Sequence, residues 1–440
     1  MTRVTHASVA RALVAAALVS AAGCDSGPSA PQITDFTVAG IRVIHKPIAA
    51  NDVVSARLYI TGGSAALTPA TAGIEHLYMD AMTRGTEKYD KSAFSALATS
   101  TGTSVGGTAD KDYSVATMQA VRQNLDAAWD LFAQAIMHPA FVATEVDLAR
   151  TEIVFDLKQR TDDPDGHLDL LSDSVFYAGH PYALEAEGTP ATVAKFTRDD
   201  LIAWQKARLT KANLLLIVVG NVTRADVEKH VAATFGMLPA GDAPAGAVPA
   251  LPAATSGVTV VGQALPTNYV LGTFIAPPRD DPDFPAFAVA TRILNERLFE
   301  EVRTKRNLTY AVSAGLGAGH VGQGILYVTA VEPDTTLKVM LSEVRRMQNE
   351  PVPMAFANEV LNTFATNYWM GQQSNMGQAA QLGHWELTGG GWKNALTYTD
   401  RLKAVTQADI QRVATKYMKN AHFVVIGDPK KIDKKLFSSL

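Results

Sequence analysis

Phe196–Leu201 reads FTRDDL and is followed by a helical stretch and an apolar, strand-like run that ends at Gly220. Near the C-terminus, Val405–Ile410 reads VTQADI, and the same succession of helix and strand leads to Gly427. In both copies a threonine stands where it can cap the helix that follows. A helix–strand unit that recurs in register indicates a chain made of two related halves.

A second pair of segments supports the duplication. Strand-like residues 114–121 run into a helical pattern at 125–136, and strand-like residues 325–331 run into one at 337–347. Residues 238–257 between the copies are rich in Pro and Ala, as linkers are. We therefore predict domains at 33–237 and 258–440. Because strands and helices mix without a strict βαβ alternation, we expect α+β domains, each an antiparallel sheet with helices packed on one face.

Composition limits the classes of protein to which the chain can belong. Its 440 residues, 47% hydrophobic and 19% charged, suffice for two cores. A single cysteine forms no intramolecular disulfide, and a formal charge of −4 gives no bulk attraction to nucleic acid, so no nucleic-acid partner is expected.

The N-terminus resembles a bacterial lipoprotein signal. A basic start, an apolar run and small residues precede Cys24, which predicts a signal peptide at 1–23, lipidation of Cys24 and a tether at 24–32. The alternative is a plain signal peptide that leaves a free thiol. With lipidation, the protein is anchored in the cell envelope, facing the periplasm, on the inner or outer membrane.

Residues 73–86 read GIEHLYMDAMTRGT and resemble the zinc helix of the insulinase, or pitrilysin, family (M16-type) of metallopeptidases. The resemblance extends over almost all of the mature chain. It implies the bacterial two-domain form, with a fold like that of the mitochondrial processing peptidases. In the family this helix carries His-x-x-Glu-His, in which the histidines bind zinc and the glutamate activates water. A glutamate from a later helix completes the metal ligands.

In this sequence the matching positions are His76, Met79 and Asp80, and the distal position falls on Asp156. A thioether has no titratable proton and cannot act as a general base. Aspartate can bind zinc, so His76, Asp80 and Asp156 are a chemically possible but degenerate ligand set. Glu75 lies one helical turn before Met79, where it could replace the missing base, or it is simply a solvated carboxylate in the first turn.

Residues 298–312 read LFEEVRTKRNLTYAV and resemble the family's second-domain motif. There, an arginine and a tyrosine seven residues later contact the substrate backbone across the cavity from zinc. Arg303 and Tyr310 have this spacing, and both side chains can donate to a peptide carbonyl. Taken without the family, they would be a surface arginine and a core tyrosine.

The resemblance implies a metalloendopeptidase-like chain that is inactive without a zinc-bearing partner. We expect the non-zinc subunit of a heterodimer, which supplies Arg303 and Tyr310 to a homologous zinc-binding subunit and acts on a peptide or an unfolded polypeptide. No cofactor is expected in this chain, and zinc is expected in the partner. The alternatives are a non-proteolytic scaffold and a self-sufficient zinc peptidase with a variant site.

Overall fold

The computed structural model describes residues 32–242 and 248–440. The predicted signal peptide, Cys24 and the tether up to residue 31 lie outside the described residues, so the lipid anchor stays a prediction. Within the described ranges, no helix combines the length and the apolar character that crossing a bilayer requires.

The first sheet begins with a tight hairpin at Ala39 and Gly40. Their φ angles are 49° and 87°, the left-handed values that a two-residue hairpin turn needs. The strands lie in the order β1-β2-β6-β3-β5-β4, and all neighbours are antiparallel except β2 and β6. They are β1 (Thr34–Val38), β2 (Ile41–Pro47), β3 (Val53–Thr61), β4 (Ser104–Ala109), β5 (Tyr113–Val121) and β6 (Leu214–Gly220).

Helices of the first half build its core on one face of this sheet, except Pro164–Phe176, which lies against the second sheet. Leu58 of β3 belongs to the same core as Phe132 and Leu201 from two of these helices, and none of the three residues retains exposed surface. The helices are α1 (Ile74–Ala81), α2 (Lys91–Thr101), α3 (Leu125–Met137), α4 (Ala143–Asp162), α5 (Pro164–Phe176), α6 (Pro190–Val193), α7 (Arg198–Arg208) and α8 (Arg224–Ala233).

The second sheet repeats the first without a counterpart of β1. Its order, β7-β11-β8-β10-β9, follows the order β2-β6-β3-β5-β4, and its one parallel pair, β7 with β11, corresponds to β2 with β6. The strands are β7 (Gly257–Gly262), β8 (Asn268–Ile275), β9 (Val312–Leu316), β10 (Gln323–Ala330) and β11 (His422–Gly427). The predicted α+β fold of two homologous halves is confirmed, while the domain boundaries predicted from the linker stay a prediction.

The helices of the second half cover one face of the second sheet in the same manner. Val328 of β10 packs with Leu294 and Leu341 in this core. The helices are α9 (Phe284–Leu298), α10 (Pro333–Asn349), α11 (Met354–Met370), α12 (Asn375–Thr388), α13 (Lys393–Lys403), α14 (Gln407–Tyr417) and α15 (Lys434–Phe437).

The duplicated threonines cap α7 and α14 in the same way. Thr197 accepts a hydrogen bond from the backbone N–H of Asp200, whose carboxylate accepts in return from the N–H of Thr197. Thr406 and Asp409 form the same reciprocal pair at α14. Each box satisfies two backbone donors that the first helical turn leaves free, so four local residues set where each helix starts.

Each half also covers the outer face of the other half's sheet. Leu168 of α5, from the first half, packs against Leu271 and Val424 of the second sheet. In return, Leu382 of α12 packs against Ile44 and other residues of the first sheet. The sequence predicted helices on one face of each sheet only. The exchange of α5 and α12 covers the second face and joins the two halves through buried apolar surface.

Candidate functional site

Helix α1 carries the degenerate zinc motif, and its N-cap residue is a glycine. Gly73, its N-cap, has φ 95°, and a Cβ there would lie 2.9 Å from the Cα of Gly188. Only glycine permits this backbone angle and this close approach. The helix then presents His76 and Asp80 half-buried at its surface, whereas Met79 faces inward.

Met79, which the sequence motif predicts to stand at the position of the family's general base, belongs to the hydrophobic core. Its side chain is 1% exposed and packs onto the edge strand β4. There, a Cβ added to Gly107 would come within 2.8 Å of the Met79 Sδ. The glycine therefore makes room for the thioether, and the side chain that replaces the base faces strand backbone instead of solvent.

Asp80 is held by an arginine in the turn that follows α1. The Arg84 Nε donates to Asp80 Oδ1 at 2.5 Å, and the Arg84 Nη2 lies 2.6 Å from Glu152 Oε2 on α4. One guanidinium thus bridges two carboxylates and connects the motif helix to α4. A metal ion at Asp80 would have to compete with this cation for the carboxylate.

Asp156, the predicted distal ligand, is exposed on α4. Within residues 32–242 and 248–440, no group of three His, Cys, Asp or Glu side chains converges closely enough to hold a metal ion. His76, Asp80 and Asp156 do not fit zinc, because one carboxylate is engaged by Arg84 and the three donors do not form a cluster.

Glu75 is buried, not solvated. Its side chain is 1% exposed, and its Oε2 accepts a hydrogen bond of 2.6 Å from the Ser114 hydroxyl on β5. Burial raises the pKa of this carboxyl, although the Ser114 hydrogen bond and the charge of Arg208 oppose the shift. The carboxylate is turned toward the sheet, which does not suit the role of replacement base and contradicts the solvated position considered from the sequence.

Arg303 and Tyr310 do come together. Arg303 lies in a π-helical turn, Phe299–Thr304, directly after α9. Its guanidinium carbon is 4.8 Å from the centre of the Phe299 ring and 4.2 Å from that of Tyr310. The Tyr310 side chain is 82% exposed, not packed in a core. Stacking between two rings orients the arginine while leaving its N–H groups free to donate.

Sequence reasoning missed three residues of this region. Arg84 and Glu152 hold Asp80, and Ser114 holds Glu75. The Asp80–Arg84 pair carries a signal that was available, since an acid and a base four residues apart share a helix face. The Ser114 contact depends on how β5 lies beneath α1, and local sequence does not contain that information.

The fold and this site define a metallopeptidase-like chain with two homologous halves and a disrupted zinc helix. Residues 42–189 match the model of the insulinase family (peptidase family M16), and residues 195–363 match that of the peptidase M16 inactive domain. The chain belongs to the insulinase, or M16, family.

Known proteins are similar to this chain in sequence or in fold. An uncharacterized zinc protease of Mycobacterium leprae is 21% identical over 403 residues, which cover 89% of this chain and 90% of that protein. The crystal structure of a peptidase M16 inactive domain from Pseudomonas fluorescens superposes with a TM-score of 0.84 at 20% identity, covering 90% of this chain and 98% of that one. The crystal structure of the periplasmic protease PqqL from Escherichia coli gives a TM-score of 0.77 at 16% identity. The match covers 96% of this chain and 49% of PqqL.

Proposed function

We propose that this chain is the non-zinc subunit of a two-chain insulinase-family endopeptidase. It supplies Arg303 and Tyr310 to a homologous subunit that holds zinc, and the pair cleaves peptides or unfolded polypeptides. This chain holds no cofactor of its own under the proposal. The zinc and the general base belong to the partner.

The state of Arg303 and Tyr310 is the observation that carries the proposal. In the described part of the chain, neither the Arg303 guanidinium nor the Tyr310 hydroxyl has a hydrogen-bond or ion-pair partner, yet the two side chains are stacked. A purely structural arginine would gain from a carboxylate neighbour, as Arg306 does from Glu301 at 2.6 Å. An oriented, unpaired cation beside an exposed phenol suits a role in binding a substrate carbonyl.

The zinc helix argues for dependence on a partner. Met79 supplies no base, and Asp80 is engaged by Arg84. A self-sufficient peptidase would need both positions to be free and converging on one metal. These contacts favour a subunit that contributes substrate contacts over one that contributes the metal.

The predicted lipid anchor at Cys24 places this assembly in the cell envelope, facing the periplasm. The similarity in fold to a periplasmic protease of Escherichia coli agrees with this location. The partner and the substrate would then meet the chain outside the cytoplasm.

The test is a peptidase assay of this chain reconstituted with a same-length homologue that carries an intact His-x-x-Glu-His. Arg303→Ala is expected to lower kcat/KM by roughly 10²-fold, the typical loss when a donor to a reacting carbonyl is removed. Arg306→Ala is the matched control, because this neighbouring arginine is exposed and paired with Glu301. Equal activity of Arg303→Ala and the parent would refute the role of Arg303. An assembled pair without any activity would favour the scaffold.

A further inference from the structure

A half-buried arginine lies at the junction of the two halves without an acidic partner among the described residues. Arg279 follows β8, and its guanidinium carbon is 5.0 Å from the centre of the Phe284 ring and 5.2 Å from that of Trp385. Its Nε is buried, and within the described residues it has neither a hydrogen-bond acceptor nor a carboxylate at ion-pair distance. Burial lowers the pKa of this group, which is the response expected of a cation that lacks a counter-charge.

The first half contributes a second arginine of the same kind. Arg57 on β3 donates from its Nε to the Tyr59 hydroxyl at 2.8 Å, and its Nη1 lies 3.6 Å from the Sδ of Met376. Neither partner carries a negative charge. Many arginines of the described chain are paired with Asp or Glu, as Arg412 is with Asp283 at 2.6 Å. Arg57 and Arg279 belong to those that have no such acid within the described residues.

These two arginines line two neighbouring cavities that share one lining residue, Gln381. Each cavity has a volume of about 340 Å³, within the usual range for small-molecule sites. The first is lined by Arg57, Tyr113 and His384, and the second by Arg279, Thr291, Tyr368 and Tyr398. We call the two together the junction cleft.

Further polar groups in the junction cleft lack partners. The Thr291 hydroxyl is buried without a hydrogen bond among the described residues. Burial, reinforced by the charge of Arg279, lowers the pKa of His384 to about 4, so its ring is neutral at physiological pH and can donate one hydrogen bond. The cleft therefore combines three arginines, uncharged donors and aromatic walls. The third arginine, Arg292, is paired with Glu296 at 3.0 Å, whereas Arg57 and Arg279 have no acidic partner among the described residues.

We propose that the junction cleft binds a small oxyanion, a carboxylate or a phosphate, carried on an aromatic or apolar group. The planar guanidinium forks of Arg57 and Arg279 match the oxygens of such an anion. The rings of Tyr368 and Tyr398 provide the surface for the apolar group.

Four probes test this proposal on the purified chain by isothermal calorimetry and thermal unfolding. Hippurate carries a carboxylate and a phenyl ring, and hippuramide is its neutral amide. Phenyl phosphate carries a phosphate and a ring, whereas inorganic phosphate carries the charge without a ring. We expect hippurate or phenyl phosphate to bind and to raise Tm in proportion to the logarithm of concentration, and hippuramide to do neither. Whichever of the two ringed anions binds more tightly identifies the anion as carboxylate or phosphate.

Arg279→Gln is expected to weaken binding of the ringed anion at least about tenfold, since it removes charge-assisted hydrogen bonds. If that variant does not fold, Arg57→Gln carries the same test from the other half. Arg345→Gln, on the exposed side of α10 and outside the cleft, is the control for the loss of one charge and should bind as the parent does. Equal binding of hippurate and hippuramide, undiminished binding by both cleft variants, or no binding of any probe at millimolar concentration would overturn the proposal.

Discussion

Met79→Glu restores the residue that the zinc motif carries at this position, and we predict that it destabilises the protein without creating an active site. The Met79 side chain is 1% exposed and contacts β4 at Gly107. Glu75, one turn earlier on the same helix, is already a buried carboxylate with a raised pKa. The new carboxylate would thus be desolvated and would lie beside a second acid, and both effects raise its pKa.

The size of the effect follows from the pKa shift. A glutamate has a pKa near 4.3 in the unfolded chain. If folding raises this pKa, the free energy of unfolding falls by about 1.4 kcal/mol for each pH unit between the unfolded and the folded pKa. Buried glutamates reach pKa values of about 8. At pH 7 the charge therefore costs about 3–4 kcal/mol, and at pH 5 about 1 kcal/mol. The penalty grows as pH rises from the unfolded pKa toward the folded one.

Urea unfolding at pH 5 and pH 7, followed by circular dichroism, measures this penalty. Met79→Gln controls for polarity without charge and should lose stability equally at both pH values. Met79→Leu conserves volume and should cost less than about 1.5 kcal/mol. If Met79→Glu loses no more at pH 7 than Met79→Gln, the side chain reaches water, and our account of a motif position absorbed into the core is wrong.

Three further predictions concern the rest of the fold. Glu75→Gln should gain stability relative to the parent as pH rises from 5 to 8. Folding raises the pKa of Glu75, so the parent loses stability as pH rises above the unfolded pKa of this residue. Urea midpoints of the two proteins that change in parallel across the pH series would contradict this. Leu168→Ala, on the exchanged helix α5, should cost about 2–5 kcal/mol and unfold both halves in one transition, whereas Leu148→Ala, 42% exposed on α4, should change little in urea denaturation. Thr406→Ala should cost about 1 kcal/mol by the same assay while Thr406→Ser costs less, and equal stability of all three proteins would argue against the cap.

The features that sequence predicted correctly are those determined by near neighbours. The capped starts of α7 and α14 and the recurrence of a helix–strand unit in both halves follow from capping and periodicity over a few residues. The stacking of Arg303 on Tyr310 was not predicted, and the role of the two residues in binding substrate stays a prediction.

The features that sequence did not predict depend on contacts between distant segments. Leu168 and Leu382 are apolar positions on helices, and their pattern does not tell which sheet they cover. Glu75 looked like a first-turn carboxylate, but its environment is set by Ser114, 39 residues away. The ion pair of Asp80 with Arg84 was readable from its spacing, yet its extension to Glu152 needed the packing of α4 on α1.

Zinc content tests most directly whether this chain is the non-zinc subunit. Metal analysis by mass spectrometry would compare the purified chain, the partner that carries the intact motif, and the complex of the two. We predict far less than stoichiometric zinc in this chain alone, one zinc per complex, and no change in the zinc content of the complex on His76→Ala. One tightly bound zinc per isolated chain, lost on His76→Ala, would contradict the account.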